Sequence, residues 1–205
     1  MINYEKITFT ETDDSYQKTE GQLSLADFAK DAQVHIANFT IGEAILHENK
    51  LYLILNCPSG EKEYDVRLAE FAMDHASNRF TYVDQYPIEV PDNGAIEIAV
   101  KMHIKQNLMK IYSPASPLAI YTFNLEDKSM SQLPFPERKR EAFEIAYQVK
   151  IIDDQAYALD FDIDNNIYRI YKISDDDAFT LLVENEIPKP KRFSYWWRTD
   201  FQVIT

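Results

Sequence analysis

At 205 residues, with 45% hydrophobic side chains, 13 Tyr and 12 Phe, the chain can bury a sizeable core, and its bulk is not disordered. A formal charge of −13 opposes phosphate backbones and anionic lipid, so nucleic acid and membrane surfaces are poor partners. The single cysteine, Cys57, excludes an internal disulfide and any thiolate metal cluster within one chain.

Residues 4–10 alternate as a strand does, whereas 11–22 is polar and charged, the most loop-like stretch. Ser24, with Asp27 three residues later, has the spacing of a capping box before a short helix. Leu25, Phe28, Ala29 and Ala32 form its apolar stripe. Residues 34–39 return to strand character.

From Gly42 a four-strand unit repeats. Apolar runs broken by polar turns predict strands at 42–48, 50–56, 64–73 and 79–86 in the first copy, with Leu51–Leu55 apolar on both faces. The second copy gives 95–105, 107–112, 117–125 and 129–134, and the third 143–153, 155–162, 166–174 and 178–186. Equivalent prolines, Pro87, Pro134 and Pro188, close the copies, because proline cannot donate to a ladder. Tight turns also correspond: His47-Glu48-Asn49, Lys105-Gln106-Asn107 and Asp153-Asp154-Gln155. After Pro188 the chain resembles the start of the third copy, which predicts a further first strand at 193–204.

The expected fold is therefore all-β: an antiparallel meander of four-stranded units of about 50 residues, the spacing of β-propeller blades. A barrel or sandwich is the alternative. One short N-terminal helix completes it. Residues 1–41 are expected to pack on a repeated domain, 42–205, with units 42–87, 95–134, 143–188 and a partial unit 193–204. Pairing of 193–204 with 4–10 or 34–39 would close the fold. Neither a WD dipeptide nor a kelch double glycine recurs, and Gly totals only 4, so the likeness lies in spacing alone.

Several residues carry possible chemistry. The first strands keep one polar face, with Glu97, Lys101 and His103 in one copy and Glu144, Gln148 and Lys150 in the next. Charges so placed between packed sheets need a channel or cleft to reach. Asp160, Asp162 and Asp164 alternate as calcium-loop ligands do, but Asn165 replaces the glycine and Tyr171 the closing glutamate, so an acidic hairpin tip is expected. Ser174-Asp175-Asp176-Asp177 reads as a turn, since adjacent carboxylates point apart. His35, His47, His75 and His103 lack metal-ligand spacing. Cys57 lies across a predicted hairpin from His47, the histidine nearest in sequence, and reads as a structural thiol. In the last strand Trp196 and Arg198 share a face that holds Ala99 and Lys101, or Ala146 and Gln148, in the sibling strands.

Trp196, Arg198 and His103 are thus the candidate ligand-binding residues, with no catalytic or metal-binding residue nominated and no cofactor expected. The chain reads as a non-catalytic binding or interaction module for a protein or small polar ligand. A hydrolase- or lyase-type enzyme with a site assembled across sheets is the alternative. Convergent carboxylates or histidines in one cleft would favour the enzyme, and an aromatic or apolar patch would favour binding. No apolar run is long enough to cross a bilayer, and no signal peptide opens the chain, so a cytoplasmic protein is expected. An exported or membrane-anchored parent protein fits the same residues.

Overall fold

The computed structural model describes residues 2–9, 16–34, 39–60, 63–74, 76–77, 79–91, 94–96, 100–114, 119–134, 147–162 and 167–186. The chain divides into two compact units, Met1–Ala95 and Ile96–Thr205.

The first unit opens with a two-stranded ribbon, β1 (Ile2–Phe9) and β2 (Tyr16–Leu23), paired from Ile2↔Leu23 to Phe9↔Tyr16. The expected loop at 11–22 is thus largely strand. An antiparallel ladder is made by backbone groups and needs no apolar alternation, so the polar run could pair without advertising itself. α1 (Ala26–Ala32) follows. Its capping box does not form: Leu25 holds the N-cap without a side-chain bond, and the Ser24 hydroxyl accepts the Ala26 N–H at 3.2 Å. Gln33, in the left-handed region at φ 55°, ends the helix. Val34 and Phe39 lie outside any strand, and 35–38 fall outside the described residues.

Next comes a four-stranded antiparallel sheet, β3 (Thr40–His47), β4 (Lys50–Gly60), β5 (Glu63–Asp74) and β6 (Arg79–Pro87), bonded in chain order. Leu23, Leu25 and Phe28 are buried with Leu53, Leu55, Cys57, Ala69 and Phe71 in one cluster. A helix of seven residues is not stable alone, so this contact holds it. Tyr82 makes edge contacts with both Phe28 and Phe71, and its hydroxyl donates to Asp31. β4 is buried on both faces over Tyr52–Cys57, the polar Asn56 included, in keeping with the apolar Leu51–Leu55 run.

The second unit holds two such sheets. One is β7 (Lys101–Lys105), β8 (Leu108–Ser113), β9 (Ala119–Asn124) and β10 (Met130–Pro134). The other is β11 (Tyr147–Ile152), β12 (Gln155–Asp162), β13 (Ile167–Ile173) and β14 (Phe179–Glu186). All three sheets are antiparallel meanders with the same strand sequence, so the repeat is real in space. β7 is shorter than the expected 95–105, with Ala95, Ile96 and Val100 outside it. Strand 193–204, on which closure into a ring depends, lies outside the described residues.

Within the second unit, Tyr112 and Ile120 of one sheet are buried with Val149, Ala156, Ala158 and Ile173 of the other. The two alanines of β12 leave room for the Tyr112 ring, a large residue set into a shallow surface. The first turn of each sheet has only two residues, with Glu48 at φ 53°, Gln106 at 54°, and Asp153 and Asp154 at 47° and 57°. No described glycine takes a positive φ, which is how this repeat manages with so few of them.

Candidate functional site

The polar face of β7 meets a cleft inside the second unit. His103 stands directly opposite Lys110, Lys105 opposite Leu108, and Lys101 opposite Tyr112. Residues two apart on a strand share a face, so these six lie together on one side of the β7–β8 hairpin. The third sheet brings two turns to that side, Asp153–Asp154 after β11 and Ser174–Ala178 after β13. Between them is a cleft of about 70 Å³ lined by His103, Lys105, Lys110, Tyr112, Asp154 and Asp175, among others, with Ala156 and Ile173 supplying apolar wall.

Three charge pairs span it. His103 Nε2 lies 3.5 Å from Asp154 Oδ1. Lys105 Nζ donates to both oxygens of Asp175, at 2.9 and 2.7 Å. Lys110 Nζ donates to Asp177 Oδ2 at 2.5 Å. The last is the inner pair, with side chains 12% and 7% exposed, and Asp177 Oδ1 is sealed from solvent without a hydrogen-bond partner. The outer pair is 42% and 73% exposed. Burial, then the charges of Asp177 and Asp175, pushes the Tyr112 phenol up and keeps it protonated.

Ser174–Ala178 is the turn expected from its sequence. The Ser174 hydroxyl accepts the Ala178 N–H at 3.0 Å and donates to Asp176 Oδ1, and the Ser174 carbonyl accepts the Asp177 N–H. The Lys105 hydrogen bond holds the Asp175 carboxyl below its ordinary range, and the Ser174 hydroxyl does the same for Asp176. A carboxylate with a depressed folded pKa stabilises fully above its ordinary value, 3.8, and the gain is lost as pH falls below that through the folded value. The Ala178 amide resonance should therefore hold its native position on acidification until below pH 3.8. Collapse of the turn near neutrality would contradict this.

Of the predicted site residues, the structure places His103 in the cleft. Trp196 and Arg198 lie outside the described residues, as do His35 and His75. Lys105, Lys110, Asp154, Asp175 and Asp177 were not recognised as partners. The basic face was readable from alternation at 101, 103 and 105 and from the facing strand. The pairing was not, because Lys105 and Asp175 are 70 positions apart.

Asp160, expected in an acidic hairpin tip, is instead fully buried on β12, directly opposite Arg169 of β13, whose Nη1 is 3.5 Å from Oδ2. Its carboxylate belongs to a cross-strand ion pair, while 163–166 fall outside the described residues. No group of three or more His, Cys, Asp or Glu among the described residues is disposed to hold a metal ion. His47 pairs with Lys50 at one end of β4, and Cys57 lies seven residues along, about 23 Å at ~3.3 Å per residue. The two therefore do not meet. Burial, then the Asp65 charge, pushes the Cys57 thiol up to about 11. A thiol-reactive disulfide reagent should leave the native chain unlabelled and label it promptly in denaturant. Fast labelling of the native chain would refute this.

Among the described residues no helix is long and apolar enough to cross a membrane. No protein-family model matches the chain, and no curated protein matches it.

Proposed function

We propose that this protein is a non-catalytic binding module and that the cleft between the β7–β8 hairpin and the acidic turns receives a small polar ligand. By convergence alone, His103, Asp154 and Asp175 in one cleft point toward an enzyme, but Asp175 is tied to Lys105, so the observation that supports binding most is the concave site itself, with apolar wall and a few convergent polar groups. Its serine, Ser174, spends its hydroxyl on holding its own turn.

Titrating the isotope-labelled chain with small neutral, cationic and anionic compounds should move the amide resonances of 103–112 and 154–156 saturably for at least one class. If no compound moves them, the reading fails. The His103–Asp154 pair favours one alternative, because an imidazole beside a carboxylate is half of a general-base arrangement. A hydrolase or lyase built on it would turn over a bound ester, amide or hydroxy acid, and His103→Gln would abolish that turnover.

A further inference from the structure

We propose that the cleft takes a small carboxylate and that the Asp175 side chain occupies the place of that group when no ligand is bound. The inference rests on the reading of the cleft as a ligand site. Lys105 already grips a carboxylate through both oxygens, and that carboxylate belongs to a turn residue 73% exposed. Water solvates both members of so open a pair nearly as well as they solvate each other, so replacing Asp175 costs the fold little.

The deeper groups also ask for an acceptor. An ammonium has three N–H donors. Lys110 spends one on Asp177, Lys105 spends two on Asp175, and the Tyr112 side chain lines the same cleft. The acceptors do not invite a cation in the same way. Asp177 Oδ1 is sealed from solvent, and Asp154, on the rim beside His103, is 83% exposed. Lysines come from the register of a paired hairpin, whereas the removable carboxylates come from turns. A ligand reaching the floor therefore meets fixed donors, and the counter-ions at the mouth are the parts that can swing away. At ~10–15 Å³ for each water-sized group, the cleft holds about five to seven non-hydrogen atoms, enough for acetate and, at the upper end, malonate.

The test is an NMR titration of the full chain at constant ionic strength with acetate, malonate, inorganic phosphate and methylammonium in turn. Malonate and acetate should shift the amides of 105–112 and 174–178 saturably. Asp175→Asn should tighten malonate binding several-fold by removing the resident competitor. Lys105→Gln should weaken it about tenfold, the loss expected for one charge-assisted hydrogen bond. The native spectral dispersion of each variant confirms its fold. Phosphate binding without carboxylate binding would overturn the ligand class, and tighter methylammonium binding would do so while leaving the binding reading intact. Malonate affinity unchanged by Asp175→Asn would overturn the role of Asp175. If no probe shifts the cleft, both this inference and the reading beneath it fall.

Discussion

Replacing Phe28 with alanine should destabilise the chain's first unit by about 3–5 kcal/mol, among the largest losses a single core truncation produces. The ring is fully buried and is the buried side chain of α1 against the sheet, touching Tyr82 edge-on at 6.1 Å between centroids. Its loss removes transfer free energy and leaves a void that β4 and β5, each bonded on both edges, cannot collapse to fill. Because so short a helix has little stability of its own, the damage should also be local. Amide exchange in 26–32 should accelerate before that of β4 and β5, and the denaturation midpoint of the first unit should fall. A loss under about 1 kcal/mol would mean that α1 contributes no packing, contrary to its burial.

A comparable loss is expected from a polar change in the second unit. Lys110→Met should cost about 3–5 kcal/mol, because it strands the Asp177 carboxylate in a place water does not reach. The size of the loss reflects the orphaned charge more than the worth of the pair. Adding Asp177→Asn to Lys110→Met should therefore recover a good part of it, since asparagine removes the charge and tolerates the left-handed backbone at φ 64°. Chemical denaturation of the two single variants and the double variant closes the cycle. Losses that simply add would show that the two side chains act independently, and the inner ion pair would then have no energetic meaning.

The repeat could be read from the sequence because its signal is local. The apolar runs of Ala119–Asn124 or Gln155–Asp162 are written in consecutive residues, and polar breaks such as Asp153-Asp154 mark where the chain must reverse. β1 was legible, but β2 and its pairing with β1 escaped because that cohesion lies in backbone bonds that no side-chain pattern records. Asp160 misled in the opposite way. It looked like part of a solvated acidic tip, yet it shares a strand face with Ala156 and Ala158, both buried, and that parity foretold its burial. The cleft was the least legible feature. His103 was singled out by its polar strand face, but the carboxylates that pair across the site, Asp154, Asp175 and Asp177, come from another copy, brought close only when two meanders stack.

The glycine-poor hairpin tips bear on that site. An Asn-Gly pair would take the backbone of Asp153 and Asp154 with less strain, since a residue bearing a side chain is held there at a cost of roughly 1 kcal/mol or more. Such a substitution would also leave the tip without a carboxylate beside His103. The conformational penalty in this turn and the chemistry of the cleft mouth are thus one design decision. Selection for thermal robustness alone would erase the Asp154 carboxylate, so relieving the strain at this tip and keeping a carboxylate beside His103 are mutually exclusive.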